Sequence, residues 1–457
     1  MTVAVTRKPV KQRRTFSGGV HPPERKGLAE EAAIEVLPTP AQVRIPLLQH
    51  LGAPCKETVK PRTEVALGDV VGESTGFVSA PVHASVSGTT GRLSVTTLPN
   101  GRHVSVVPIK SAEAQPLSGR ALFDDVFGGE WPTDGLERHE PKQIAEAAHE
   151  AGLVGLGGAA FPTHVKLTRN ESKPIQTLLI NGSECEPYLT ADYRLMLEAP
   201  APVISGALLA QRAVGAEDVI VCVEDNKPKA AEALSSAAEG TGVEVRVLKT
   251  KYPQGGEKQL TVAVLGKEVP TGGLPLDVGV VVVNVGTAAA LARAVFRGKP
   301  LTHRVVTVSG GGIKQPKNLL APVGVSYQEL IDYCGGLTKE AARVVAGGPM
   351  MGYTIGSLDI PATKGTSGLT VFTHGEVRRS EETACVRCGR CVDVCPLNLV
   401  PTKIGLAARA HDVDLVERYY GSACMECGCC AYVCPASLPL VQLIRLGKLL
   451  LQRANRS

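Results

Sequence analysis

The sequence predicts a multidomain chain of α/β plus α+β units, β-rich at its start and helical around clustered cysteines at its end. Three observations predict it. At 457 residues the chain exceeds one ordinary core and calls for two to four domains. Hydrophobic residues make up 44% and charged residues 20%, enough apolar surface to bury large cores and unlike a disordered chain. The hydrophobic pattern changes along the chain, from short alternating runs, to continuous apolar runs separated by Ala-rich stretches, to a repeated cysteine spacing. A net charge of +5 spread over this length argues against a dedicated nucleic-acid binder. Aromatics at 4% against 49 glycines and 32 prolines describe tight turns and close backbone approaches, not stacking platforms.

Residues 1–40 read as an extended arm, basic at Arg7, Lys8, Lys11, Arg13 and Arg14, with no apolar stretch of signal-peptide length after it. Its segment GGVHPPERKGLAEEAAIEVLPTP ends in turn formers. Residues 41–135 carry short β-segments such as EVALGDVVGES and HVSVVPI between Gly and Asn-Gly turns, predicting a small barrel or sandwich. The stretch GDVVGESTGFVSAPVHASVSGTTGRL resembles the biotinyl/lipoyl hammerhead fold. Its tip, from Ala84 to Gly88, has no lysine for a prosthetic group, so the unit is expected to be structural. In residues 136–303, TLLIN, DVIVCVED, VEVRVLKT and GVVVVNV suit buried parallel strands, with PKAAEALSSAAEG a helix between two of them. Residues 304–360 predict strands around one short helix, which starts at a capping box of Ser326 and Glu329. Residues 361–457 carry helices and cysteine motifs. The longest apolar run, around residues 278–292, is interrupted by Gly279, Asn284, Gly286 and Thr287, so it suits strand, turn and helix better than a membrane span. The C-terminal SLPLVQLIRLGKLLLQRANRS predicts an apolar and basic helix that either packs back on the cysteine unit or meets a partner or lipid.

With no export signal in view, the 13 cysteines are expected in a reducing interior, where dense spacing points to metal and not to disulfides. Cys385-x2-Cys388-x2-Cys391-x3-Cys395-Pro396 recurs as Cys424-x2-Cys427-x2-Cys430-x3-Cys434-Pro435. That is the bacterial ferredoxin run, in which three thiolates hold one cluster and the fourth reaches the other. On that rule Cys385, Cys388, Cys391 and Cys434 hold one [4Fe-4S] cluster, and Cys424, Cys427, Cys430 and Cys395 the second. Tetrathiolate zinc is the alternative, but it does not account for a repeated triple-plus-one with proline. Cys429 is off the spacing and Cys55, Cys185, Cys222 and Cys334 are isolated, so all five are expected to be structural thiols. The histidines show no ligand-like pair on a helix.

The segment AGLVGLGGAAFPTHVKL sets Gly152, Gly155, Gly157 and Gly158 ahead of Phe161 and Lys166. Glycines let backbone N–H groups approach a phosphate, and a lysine shortly after can neutralise it. No Gly-Lys-Ser/Thr closes the loop and no strand precedes it, so it is neither a Walker A nor a Rossmann fingerprint, and alone it equally suits a tight turn. The segment resembles the NADH-binding flavoprotein subunit of respiratory complex I, together with Asn181-Gly-Ser-Glu-Cys-Glu-Pro-Tyr188, Gln254-Gly-Gly-Glu-Lys258 and Asn284-Val-Gly-Thr287. The resemblance implies that Gly155, Gly157, Gly158 and Lys166 meet FMN phosphate and Phe161 the nicotinamide. It also implies that Asn181, Glu257, Asn284 and Thr287 border the flavin, and that Glu184 and Glu186 accept from ribose hydroxyls. Ser183, Lys258 and Gly286 depart from that family's pattern.

Adding Gly18-Gly-Val-His-Pro-Pro-Glu-Arg-Lys26 and Gly347-Gly-Pro-Met-Met-Gly352, the chain resembles the RnfC family of the Rnf (Rsx) ion-translocating oxidoreductase from about residue 16 to 448. This implies a barrel-sandwich hammerhead, an FMN/NADH α/β domain, a β-grasp module of the SLBB type and a dicluster ferredoxin-like helical domain, without the Ala/Lys-rich tail of longer members. It implies electron flow from NADH to FMN, through two [4Fe-4S] clusters, to partner subunits of a membrane complex that couples NADH and ferredoxin or flavodoxin chemistry to Na⁺ or H⁺ transport. The expected location is peripheral, on the cytoplasmic face of the inner membrane, with membrane contact through partner subunits. Hydride transfer needs no acid–base residue, so no catalytic side chain is assigned. Two rivals remain at this level: a microcompartment cobalamin reductase, which shares the modules, and an electron-relay or docking subunit whose flavin site is lost through Ser183, Lys258 and Gly286.

Overall fold

The computed structural model describes residues 14–169, 171–377 and 380–455, so the basic cluster from Arg7 to Arg13 lies outside the described residues. The largest unit is built on four parallel strands: β1 (Thr177–Gly182), β2 (Asp218–Glu224), β3 (Glu244–Leu248) and β4 (Val280–Asn284). Their order is β3-β2-β1-β4. Successive side chains of a strand point to opposite faces. Leu178 and Ile180 therefore enter one core with the Ala-rich helices Pro200–Val214 and Val285–Arg297, while Leu179 enters a second with Leu260 and Val264 of helix Glu257–Leu265. Burial on both faces is why TLLIN and GVVVVNV read as continuous apolar runs. From β1 the chain runs outward to β3 and then crosses back to β4. The order thus reverses between β1 and β4, and ligands of open parallel sheets bind beyond the carboxyl ends of strands at such a point.

The N-terminal unit is a pair of small antiparallel sheets around Val43, Ile45, Val71, Val82, Val107 and Ile109. Its tip does not swing free: Ser85 is 1% exposed and donates a hydrogen bond to the carbonyl of Val323. A fourth sheet runs Ile34–Val36, Lys317–Pro322, His303–Ser309, Gly368–Thr373, Ala341–Ala346 and Tyr353–Ile355, with helix Tyr327–Tyr333 started by the Ser326–Glu329 capping box. Two of these strands come from outside the stretch 304–360 read from sequence. The arm over 1–40 is interrupted by the short helix Lys26–Leu28 and then supplies Ile34–Val36, and the stretch 361–457 supplies Gly368–Thr373. The physical reason is pairing: strands His303–Ser309 and Lys317–Pro322 are buried almost throughout, and the backbone groups of each need partners on both sides, which Gly368–Thr373 and Ile34–Val36 supply.

The C-terminal unit consists of short helices and one long one, Leu440–Ala454, which packs back through Leu440, Val441, Ile444 and Leu451. Leu449 of this helix stays exposed. No helix among the described residues is long and apolar enough to cross a membrane. Lys364 joins three units: its ammonium donates to the carbonyls of Pro81 and Gly152, both at 2.7 Å, and its backbone N–H to Gln49. Burial pushes its pKa down to about 7.

Candidate functional site

At the reversal point Asn181 and Asn284 end adjacent strands and are register partners. Asn284 caps helix Val285–Arg297 by accepting from the N–H groups of Gly286 and Thr287, and its amide donates to Asp192 at 2.7 Å. Asn181 donates to the carbonyl of Gly255 and accepts from the N–H of Ser183. The glycine loop folds back over this edge. Gly155 N–H bonds the carbonyl of Phe161 at 2.8 Å, and Leu156 N–H bonds the Thr287 hydroxyl at 2.9 Å. A Cβ on Gly157 would sit 3.4 Å from the Asn284 side chain, so the absent side chain is what keeps the space between loop and strand end open. Gly157 and Gly158 are exposed and Phe161 is half-buried. Lys166, on helix Thr163–Leu167, lies 2.5 Å from Glu257 and also donates to the carbonyl of Val282.

Leu156 of the glycine loop, Thr287, Asn284 and Asn181 are thus neighbours at the strand ends, and Lys166 pairs with Glu257 beside the Val282 carbonyl. Glu184 and Glu186 are turned elsewhere. Glu184 accepts from the N–H groups of Asp192 and Tyr193 at the start of helix Ala191–Glu198. Glu186 accepts from the N–H groups of Met350 and Met351, and burial raises its pKa to about 7. Both carboxylates serve internal backbone donors and so compete with the ribose role that the resemblance implies. Of the three departures, Lys258 donates to the carbonyl of Pro270, Gly286 lies in the helix cap, and Ser183 leaves a buried hydroxyl without a partner. Gln254 is fully buried with both amide atoms unpartnered.

The cysteine motifs fold as a conformational repeat. Arg387 and Glu426, Gly389 and Gly428, and Asn398 and Ser437 hold matching positions and all have positive φ. Cys395, Cys424, Cys427 and Cys430 line one cavity. Backbone N–H groups of Leu399 and Glu426 point at the sulfurs of Cys395 and Cys424, each at 3.3 Å. Cys391 and Cys434 are buried together with Cys430, Cys385 packs against them, and Cys388 is exposed. Cys55, Cys222 and Cys334 are buried, and burial raises their thiol pKa values, in keeping with structural thiols. Cys185 and Cys429 pack around Tyr252.

Between the cradle and the cysteine motifs runs segment 252–259; the sequence ties its Gln254–Lys258 part to the flavin but does not single out the contacts of Tyr252 and Gln259 with the cysteine unit. The Tyr252 hydroxyl donates to the carbonyl of Cys427 at 2.7 Å. Gln259 donates to the carbonyl of Pro396, and a Cβ on Gly256 would meet Met425 at 2.7 Å. Lys26, likewise missed, is buried and donates to the carbonyls of Glu186 and Leu189. An apolar pattern offers no signal for either, because their work is done by hydrogen bonds across long sequence separations.

The residues present fit a phosphorylated flavin: an open glycine cradle, a lysine, two strand-end amides and the orphaned Ser183 hydroxyl. The set of Cys395, Cys424, Cys427 and Cys430 fits a cluster as well, because these four residues line one cavity. Family models match in the same order. The RnfC barrel sandwich hybrid domain covers residues 14–114, the Nuo51 FMN-binding domain 148–293, the SLBB domain 305–354 and the 4Fe-4S dicluster domain 384–438. Fold and site define an oxidoreductase component for electron transfer, with an FMN-binding domain and an iron–sulfur dicluster domain. Among its relatives, the C component of the proton-translocating ferredoxin:NAD(+) oxidoreductase complex of Clostridium ljungdahlii is 43% identical over 86% of this chain and 84% of its own. The Na(+)-translocating counterpart of Acetobacterium woodii is 45% identical over 85% and 86%. The C component of the ion-translocating oxidoreductase complex of Rhodobacter capsulatus is 41% identical over 95% and 82%. The chain belongs to the RnfC family of ion-translocating oxidoreductase complexes.

Proposed function

We propose that this protein takes two electrons from NADH as hydride at the cradle and releases them singly through two [4Fe-4S] clusters. The cage of Cys395, Cys424, Cys427 and Cys430, the second cage by chain order, takes the electron from the flavin, and that of Cys385, Cys388, Cys391 and Cys434 takes it onward. Bound FMN would supply the exchange between hydride and one-electron chemistry, since a cluster takes one electron at a time. Gly155, Gly157, Gly158 and Lys166 hold the phosphate, Asn181 and Asn284 border the ring, Thr287 anchors the loop, and Phe161 offers a face to the nicotinamide. Each NADH leaves as NAD⁺, two electrons pass on, and one proton is released.

The observation that carries the order is segment 252–259, which touches Asn181 through Gly255 and the second motif through Tyr252 and Gly256. The exposed position of Cys388 supports an exit from the first motif to a partner subunit, with ferredoxin or flavodoxin as the carrier at the level of the whole complex. The protein is then peripheral, on the cytoplasmic face of a membrane complex.

A single-turnover experiment tests this. Anaerobic protein loaded with iron, sulfide and FMN is mixed with NADH while flavin absorbance and cluster EPR are followed. The unmodified chain is expected to reduce both clusters. Cys388→Ser should still reduce the cluster of the second motif, whereas Cys427→Ser should leave electrons on the flavin. The reverse pattern overturns the order, and clusters that assemble while NADH bleaches nothing favour the relay or docking role instead.

A further inference from the structure

The stretch 14–26 does more than lead into the first strand. Gly19 N–H donates to the carbonyl of Val394 at 2.9 Å, next to Cys395, and a Cβ on Gly18 would lie 2.9 Å from the Cys395 carbonyl. One residue on, Val20 and Tyr252 exchange both backbone hydrogen bonds, at 2.9 and 3.0 Å. Phe16 is buried beneath the Lys251 ammonium, which also donates to the Phe16 carbonyl at 3.0 Å. Val20 packs with Tyr252, Cys427 and Cys429. Further along, Glu24 accepts from the N–H of Tyr188, and Lys26 holds the carbonyls of Glu186 and Leu189. The strap thus touches the second cage at one end and, at the other, the loop that leaves β1 below Asn181.

Its sequence is suited to that path. Gly18 and Gly19 both have positive φ, and a Cβ on Gly19 would meet the Tyr252 carbonyl at 2.5 Å. A side chain there is excluded twice, by conformation and by space.

We infer that residues 16–26 are a positioning strap for electron transfer: they clamp Val394 and Cys395 against Tyr252 and so set the gap that an electron crosses from the cradle to the second cage. The inference rests on the order of carriers proposed above. Strap residues touch neither substrate nor the reacting atoms, so they act only through where they hold the two modules.

The test uses the full chain loaded with both clusters and FMN, with the flavin photoreduced by a light pulse and EDTA as the sacrificial donor, so that NADH chemistry is bypassed. Flavin reoxidation and cluster reduction are timed in the unmodified chain, in Gly19→Val, in Val20→Ala and in Val20→Ile. Gly19→Val is expected to slow the hop about tenfold or more, the scale on which small misplacements act. Val20→Ala should slow it less and Val20→Ile should keep the parent rate. FMN content, iron content, cluster EPR spectra and midpoint potentials should stay unchanged. If Gly19→Val does not fold, Val20→Ala and Lys251→Met carry the test. Equal hop rates in all folded variants overturn the strap and leave the flavin reading standing. A chain that takes up no FMN sinks the flavin reading and the strap with it.

Discussion

The ammonium of Lys166 lies 2.5 Å from the carboxylate of Glu257, which ties the short helix after the glycine loop to the helix that follows segment 252–256. The pair holds a cation at the cradle that an incoming phosphate can share. Lys166→Met is therefore expected to weaken FMN binding by about 10- to 100-fold, the scale of a hydrogen bond to a charged group, and to leave riboflavin, which lacks the phosphate, nearly unchanged. Glu257→Gln keeps the lysine and should keep the preference for FMN over riboflavin. Equilibrium titration of the four combinations checks this, and an equal loss for both ligands in Lys166→Met would show that the lysine does not read the phosphate.

Tyr252→Phe removes one hydroxyl from a buried contact and leaves the Cys427 carbonyl without that donor. The expected cost is on the order of 1–3 kcal/mol, read as a lower Tm of the loaded protein. Hydrogen bonding around a cluster also tunes its potential. The EPR signal or midpoint potential of the second-motif cluster should shift while the first stays put. A shift confined to the first cluster contradicts the arrangement.

Much of this was legible in the sequence because it is periodic or local. Three of the four parallel strands announce themselves as apolar runs, the Ser326–Glu329 box as a helix start, and the cysteine spacing as a repeat with matching positive-φ positions, while the edge strand Glu244–Leu248 alternates and stays half-exposed. What stayed hidden depends on contacts between distant parts of the chain. Nothing in Ile34-Glu-Val36 says that it pairs with Lys317–Pro322, and nothing in Gly368–Thr373 separates it from the cysteine unit that follows. Glu184 and Glu186 read as loop acids suited to ribose hydroxyls. Their backbone partners at Asp192 and Met350 appear only once the units are packed.

The hammerhead tip gives a direct test of its structural role. Ser85 is nearly fully buried and bonded to Val323, so Ser85→Lys forces an ammonium into a closed interface. Burying an unpaired charge is among the most damaging single changes, and a loss of roughly 3 kcal/mol or more is expected. Thermal unfolding of the purified variant measures it. An unchanged Tm would mean that the tip leaves the interface easily, as a carrier domain requires.

Asp192 links the cradle to pH. Its carboxyl accepts from the Asn284 amide, and the residue lines a cavity shared with Leu156, Gly286, Arg293 and Arg304. Burial, then the neighbouring Glu184, raises its pKa to about 7, against the opposing pull of Asn284, Arg304 and Lys26. A carboxyl whose pKa is raised by folding contributes stability that is full below its unfolded value near 4 and is lost as pH rises through about 7. The unmodified protein should therefore lose stability between about pH 4 and pH 7, and part of that loss belongs to this group. Asp192→Asn keeps an oxygen for the Asn284 amide and cannot ionise, so its unfolding midpoint should fall less over the same interval. Parallel denaturation curves at several pH values decide the matter: identical slopes for the two proteins mean that Asp192 is ionised throughout and that the charge is compensated by Arg304 and Lys26.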